Sequence, residues 1–211
     1  MIRVGIVDDH AIVRSGLKQF ISDQVDLRVT GEAADGAGAL QLARQGEVDV
    51  LLMDLAMPDQ SGVDALAAIK ARFPELPVLI LSGYPETHYA TTLLRQGASG
   101  YLNKECDPEE IAKAIRTVAL GRRYITPAVA ELLAEQVTGA GGERPPHEGL
   151  SERELQVFLR LAQGQTVGQM AEAMNLSVKT VSTYRTRVLD KLKLRTNSDL
   201  TYYALKNGLI Q

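Results

Sequence analysis

Three carboxylates and one ammonium stand where apolar stretches of the chain end. Asp54 follows Val48-Asp49-Val50-Leu51-Leu52-Met53, and the pair Asp8-Asp9 follows a stretch that carries Ile2, Val4, Ile6 and Val7. Val78-Leu79-Ile80-Leu81 ends on Ser82-Gly83, and Gly100-Tyr101-Leu102 ends on Asn103-Lys104. Carboxylates gathered at one place repel one another, and a cation among them offsets the repulsion. Oxygen-only donors with room left for water suit Mg²⁺, held at about 2.1 Å per ligand. A simpler use of Asp8 or Asp9 is to cap the helix that starts near His10.

For these groups to meet, the apolar stretches must be strands of one sheet. Runs such as Val48 to Met53 read as strands buried on both faces, as in a parallel sheet. Between them the pattern changes to helical spacing. Val13, Leu17, Phe20 and Ile21 form one stripe, and a short helix follows near Ala37 to Arg44. Leu66, Ile69 and Phe73 face inward on a third helix. A helix over 86–96 has only a thin apolar face of Ala90, Leu93 and Leu94, which suggests a weakly packed, easily shifted element. Asp107-Pro108-Glu109-Glu110 is an N-cap with proline in the first turn, opening a helix striped by Ile111, Ile115 and Val118. Strand and helix alternate five times, which predicts a doubly wound α/β fold. In such sheets ligands bind at the carboxyl ends of the strands, where the acids, the hydroxyl and the lysine all fall.

Acid pair, single acid, hydroxyl and lysine, each at the end of a different strand and in that order, resemble the receiver domain of two-component response regulators. The resemblance covers residues 1–120. It implies a flavodoxin-like five-stranded parallel sheet in the order 2-1-3-4-5. It also implies that Asp54 is the phosphoacceptor, taking a phosphoryl group from the phosphohistidine of a sensor histidine kinase. Asp9, Asp54 and the backbone carbonyl of Ala56 would bind Mg²⁺, with Asp8 acting mostly through water. The metal and Lys104 would offset charge on the transferred oxygens. Ser82 would donate to the new phosphoryl group, and Tyr101 would be the ring that turns inward when Ser82 moves.

Beyond residue 120 the character changes. Residues 121–149 read as a linker with a helix over 127–137, then a Gly- and Pro-rich stretch without apolar period. Residues 150–211 carry no strand signal. Ser151-Glu152-Arg153-Glu154 and Thr166-Val167-Gly168-Gln169 are capping boxes. The first opens a helix with Leu155, Phe158, Leu159 and Ala162 inward. Ser177 caps a third helix, in which Val181, Val188 and Leu192 face a core, and Thr196 to Asp199 open a fourth. Two short helices joined by a tight turn, the second rich in cations, suggest helix-turn-helix. On that second helix Lys179, Ser182, Thr183 and Thr186 share a polar face, and Arg185 and Arg187 add charge.

Leu150-Ser151-Glu152-Arg153-Glu154, Gly164, Met170-Ala171, Leu176-Ser177-Val178-Lys179-Thr180-Val181-Ser182 and Lys191-Leu192 resemble the LuxR-type DNA-binding domain. Together the two halves look like a response regulator of the NarL/FixJ type. That resemblance implies a cytoplasmic transcription factor, a homodimer when active, bound to double-stranded DNA. Ser182, Thr183 and Thr186 would enter the groove, and Lys179, Arg185 and Arg187 would hold phosphates. An alternative is a DNA-binding regulator whose receiver dimerises without phosphate.

Charge agrees with two halves of different task. Residues 1–149 sum to −7 and residues 150–211 to +4, within a total of −3. No run has the length of a transmembrane helix, so no membrane role is expected. The single cysteine, Cys106, excludes an internal disulfide and a cysteine zinc cluster, and suits a reducing cytosol. The three histidines make no metal motif. An aspartyl phosphatase of the haloacid-dehalogenase type needs a second acid two residues after the first, where Ala56 stands. A dinucleotide fingerprint needs glycines where Asp8-Asp9-His10 stands. The chain is therefore read as no enzyme beyond its own phosphoryl transfer and slow dephosphorylation.

Overall fold

Aliphatic and β-branched residues build the strands β1 (Ile2–Val7), β2 (Leu27–Ala33), β3 (Val50–Met53), β4 (Val78–Ser82) and β5 (Gly100–Asn103). The computed structural model describes the chain apart from Ala56, residues 58–61, Tyr84, Pro85, residues 139–144, Asn175, Gly208 and Gln211. Of Thr87, His88, residues 135–138, Glu148 and Glu152 it describes the backbone alone. The chain divides into two compact units, Met1–Gly141 and Gly142–Gln211.

In the first unit the strands form one parallel sheet in the order β2-β1-β3-β4-β5. The alternation predicted the doubly wound fold, and this strand order is the one the resemblance to receiver domains implied. Every residue of β3 and β4 is buried, as strands covered on both faces must be. The helices α1 (Ala11–Ser22), α2 (Gly36–Gln45), α3 (Gly62–Arg72), α4 (Glu86–Arg95) and α5 (Pro108–Ala119) connect the strands. Ile111, Ala112, Ala114, Ile115 and Val118 of α5 and Ile21 of α1 close the core over Val4, Ile6, Val50, Leu52 and Leu79. Asp107 caps α5 as read from sequence, its side chain accepting from the Glu109 N–H at 3.0 Å.

Helix α4 differs from its sequence reading. Its apolar face looks thin, yet Tyr89, Ala90, Leu93 and Leu94 are all buried. The reason is a later segment. Tyr124 pairs with Gly100 beside β5, and helix α6 (Pro127–Thr138) lies against α4. Thr126 Oγ1 donates to the Glu86 carboxylate, and the Arg123 guanidinium donates to the Leu94 carbonyl at 3.1 Å. Residues 121–138 are thus packed on the first unit, and α4 is held between β5 and α6. A shift of α4 must also disturb its packing on α6.

The second unit is helical. It contains a short 3-10 turn (Pro146–Gly149), then α7 (Glu152–Ala162), α8 (Val167–Ala173), α9 (Val178–Leu192) and α10 (Asn197–Lys206). Ser151 and Thr166 each form the capping box foreseen, and Ser177 and Thr196 cap α9 and α10. Helix α7 packs on α9 and α10, and α8 on α9. The inward face of α7 is wider than the stripe suggests: Val157 and Leu161 are buried, and Leu159 is half-buried. Residues 145–149, read as the end of a linker, hold a buried His147 whose Nδ1 lies 3.0 Å from the Tyr203 hydroxyl. A composition rich in Gly and Pro conceals this, because the partner lies 56 residues away.

Glu154 ties the unit together. It is buried, and its Oε2 accepts from the Ser151 N–H at 2.7 Å and from Lys191 Nζ on α9 at 2.6 Å. Burial pushes this carboxyl up, but the Lys191 and Ser151 hydrogen bonds outweigh it and hold the group below its ordinary value of 4.5. Glu154→Ala is expected to lower the stability of the second unit by about 1–3 kcal/mol, the cost of leaving the Ser151 N–H without its partner. The carboxylate's contribution is complete above pH 4.5 and fades as pH falls through the lowered value. Denaturant midpoints of the full chain should differ at neutral pH and converge in acid.

Candidate functional site

Register places the acids side by side. Val7 pairs with Met53, so Asp8 and Asp54 are the next residues of two neighbouring strands, and the Asp54 N–H donates to the Val7 carbonyl at 2.8 Å. Ser82 pairs with Asn103 on the next two strands, and the Lys104 N–H donates to the Ser82 carbonyl at 2.8 Å. Four strand ends thereby bring acid, hydroxyl and ammonium to one edge, as the sequence pattern requires. Gly62 opens α3 directly behind Asp54. A Cβ there would stand 2.6 Å from the Asp54 carbonyl oxygen and from Leu55 Cα, so only glycine admits this approach.

The side chains meet. Lys104 Nζ donates to Asp8 Oδ2 at 2.7 Å and to Asp54 Oδ2 at 2.8 Å. Asp54 Oδ1 accepts from the Leu55 N–H at 2.7 Å. Both carboxylates are nearly sealed, with 2 % and 1 % of the side chain exposed, whereas Lys104 keeps 21 %. Burial pulls the Lys104 ammonium down, but the hydrogen bonds and charges of Asp54 and Asp8 prevail and raise it above 10.5. On the lysine side that pairing is complete below pH 10.5 and is lost as pH rises through the raised value.

Neither Asp8 nor Asp9 caps α1: its N-cap is His10, with no side-chain cap hydrogen bond. Asp8 Oδ1 accepts from the His10 N–H at 2.8 Å, a local turn at the start of α1, while its Oδ2 faces Lys104. Asp9 Oδ1 is buried without a hydrogen bond, 2.7 Å from His10 Nδ1. Donor atoms of Asp8, Asp9, His10 and Asp54 lie within 4.8 Å of one another. This amends, for one of the three, the reading that the histidines make no metal motif. His10 is in the cluster, and its adjacency to Asp8-Asp9 was the available signal. Three carboxylates, one of them with a buried oxygen that makes no hydrogen bond, fit a hard divalent cation. Ala56, whose carbonyl was expected as a ligand, lies outside the described residues.

Ser82 and Tyr101 are fully buried, on β4 and β5. Cys106 is half-buried, and burial together with Glu110 pushes its thiol up to about 11, so it is no thiolate at neutral pH.

In the second unit, α9 buries Val181, Val188, Leu189 and Leu192. Lys179, Ser182, Thr183, Thr186 and Arg187 are exposed and Arg185 is half-buried. The polar face is real, but two hydroxyls are engaged: Thr183 Oγ1 donates to the Lys179 carbonyl at 3.0 Å and Thr186 Oγ1 to the Ser182 carbonyl at 3.1 Å. In this arrangement they offer acceptors outward. Arg185 Nε donates to Asn197 Oδ1 at 2.8 Å, joining α9 to α10.

Two family models match these units, the response regulator receiver domain over residues 4–116 and the luxR family of bacterial regulatory proteins over 148–204. The chain belongs to the two-component response regulators of the NarL/FixJ type. It carries a receiver domain and a LuxR-type DNA-binding domain, as do DNA-binding transcription regulators of two-component systems. It is 37% identical over 209 residues to the response regulator UvrY of Escherichia coli strain K12, covering 99% of this chain and 96% of that protein. It is 37% identical over 210 residues to the response regulator GacA of Pseudomonas aeruginosa, covering 100% of this chain and 98% of that one. The structure of RcsB from Salmonella enterica serovar Typhimurium, bound to promoter rprA with the phosphomimetic BeF3-, aligns with a TM-score of 0.65 at 26% identity. That match covers 96% of this chain and 97% of the RcsB chain. Among the described residues of this response regulator, no helix is long and apolar enough to cross a membrane.

Proposed function

We propose that this response regulator is switched by phosphorylation of Asp54 and then binds promoter DNA as a homodimer. The observation that carries the reading is the sealed Asp54 carboxylate, 2.8 Å from Lys104 Nζ and within 4.8 Å of the Asp8 and Asp9 donors. An Asp54 oxygen attacks the phosphorus of a phosphohistidine on a sensor histidine kinase. The P–N bond breaks, the imidazole leaves with its electron pair, and an acyl phosphate forms on Asp54. Lys104 neutralises charge on the transferred oxygens. Asp9, Asp54 and the Ala56 carbonyl would hold Mg²⁺, with Asp8 acting mostly through water. The ion, when bound, supplies positive charge that offsets the developing negative charge on the phosphoryl oxygens. Ser82 donates to the phosphoryl group, and Tyr101 follows it. The chain has no turnover activity beyond taking up and slowly losing this group, and it acts in the cytoplasm.

The switch needs the two states to differ in interaction energy, and a doubly charged group beside Lys104 and Ser82 supplies the difference. Because α4 lies between β5 and α6, movement near Ser82 is passed to residues 121–138. Ser182, Thr183 and Thr186 contact base edges, and Lys179, Arg185 and Arg187 contact phosphates. The test is intact mass of the full chain after incubation with Mg²⁺ and acetyl phosphate, with binding to DNA and oligomeric state followed in parallel. One added phosphoryl mass with tighter DNA binding or dimerisation supports the reading. No adduct from acetyl phosphate or from a cognate kinase, with DNA binding intact, overturns it and leaves dimerisation without phosphate.

The cations of α9 carry their own prediction. Lys179→Ala should weaken binding to every sequence alike. It should reduce the slope of log K against log[salt] by about 0.9 for each DNA phosphate no longer neutralised. Arg185→Ala should also loosen the junction of α9 with α10 through Asn197, so its effect should exceed the salt term. Titrations of labelled duplex at several salt concentrations check both.

A further inference from the structure

The geometry points to His10 as an additional ligand of the receiver's metal site, one that favours borderline transition-metal cations over Mg²⁺. This rests on the reading of Asp8, Asp9 and Asp54 as a metal site and goes beyond it. His10 Nδ1 lies 2.7 Å from Asp9 Oδ1 and 3.3 Å from Asp8 Oδ1. Neighbouring ligands of an octahedral cation held at about 2.1 Å stand about 3.0 Å apart, so these two separations bracket a shared coordination edge. Asp9 Oδ1 is buried and, apart from this ion-pair contact with His10 Nδ1, makes no hydrogen bond, so a cation between the two would meet both donors. The rest of the imidazole is free to adjust, since 61% of the His10 side chain is exposed and makes no cap hydrogen bond to α1.

Donor chemistry then sets the preference. Carboxylate and carbonyl oxygens with water satisfy Mg²⁺, which gains little from a ring nitrogen. Zn²⁺, Co²⁺ and Ni²⁺ gain a ligand they bind well. Position along the chain makes His10 suited to this. It is the N-cap of α1, immediately after the acid pair, and its backbone is held by the hydrogen bond from its own N–H to Asp8 Oδ1. Such cations would compete with Mg²⁺ for the carboxylates that serve phosphoryl transfer.

The experiment compares Mg²⁺, Co²⁺ and Zn²⁺ binding to the full chain, wild type and His10→Gln, by calorimetry, with Mg²⁺ competing for bound Co²⁺. Proton NMR of the Co²⁺ form of the wild-type chain is recorded in H₂O and D₂O. The expected result is Co²⁺ and Zn²⁺ affinity lower in His10→Gln by roughly 10–100-fold, the scale on which support for a metal ligand acts. Mg²⁺ affinity should stay within about twofold. The wild-type Co²⁺ form should show an exchangeable, hyperfine-shifted imidazole N–H that Mg²⁺ displaces. This last readout needs no variant to fold. Saturable Mg²⁺ binding with no shifted imidazole signal, or with equal losses for all three ions, would overturn the role of His10 and leave the acidic site standing. No saturable binding of any of the three ions would overturn the metal-site reading and this one with it.

Discussion

Asp54→Asn is expected to abolish phosphoryl uptake while leaving the fold intact. In wild type, acetyl phosphate and Mg²⁺ should add one phosphoryl mass to the chain. The variant should show none, because an amide oxygen is not a nucleophile that can form an acyl phosphate at this position. The remaining acids do not replace it. Asp8 is turned toward Lys104 and the start of α1, and Asp9 toward His10. Stability should change by less than about 1 kcal/mol, since the Lys104–Asp8 ion pair survives and one of the crowded carboxylates is removed. The amide can still accept from the Leu55 N–H that Asp54 Oδ1 now accepts from. Intact mass and a denaturant titration on the same preparation check both halves. Phosphoryl mass on Asp54→Asn would show that another residue is the acceptor.

Lys104→Met should be the most destabilising single change at the site. Lys104 Nζ is shared between Asp8 Oδ2 and Asp54 Oδ2, and both carboxylates are nearly sealed from water. Two unit charges about 4 Å apart repel by about 4 kcal/mol at an effective dielectric constant near 20. Removing one partner of a buried ion pair typically costs about 3–5 kcal/mol, because the desolvated charge stays behind. The receiver transition should therefore fall by roughly that amount in buffer containing EDTA. Two rescues separate this cause from simple loss of packing. Mg²⁺ at about 100 times its dissociation constant should return about 2.7 kcal/mol by binding only the folded state. Adding Asp8→Asn to Lys104→Met should also recover part of the loss, through the removed repulsion. A loss below about 1 kcal/mol, or no recovery on adding Asp8→Asn, would show that the lysine is not the counter-charge for the acids.

Much of the receiver was legible because its signals are local. A buried parallel strand leaves an unbroken apolar run, and the residue that ends the run marks the sheet edge. Asp54, Asp8, Ser82 and Lys104 could each be assigned to that edge by counting. The capping boxes at Ser151 and Thr166 were equally local, since cap and partner lie three residues apart. The burial of α4 was not legible. Its apolar face is completed by α6 and by Thr126 at Glu86, 40 residues away. His147 was hidden likewise, because a turn rich in Gly and Pro reads as linker until Tyr203 is seen against it. On α9 the face was legible but the state of its hydroxyls was not, since Thr183 and Thr186 donate to their own helix.

What the sequence determined by itself is the set of functional groups and the edge they occupy. Periodicity fixes which residues are strand, and strand ends in a parallel sheet share one side. What tertiary structure decided is how those groups are paired. Lys104 reaches Asp8 across 96 residues and Asp54 across 50, and the length of an apolar run carries no information about which carboxylate an ammonium will meet. Only strand register, Val7 against Met53 and Ser82 against Asn103, turns a collection of acids into a site with one lysine between two of them and a histidine at its rim.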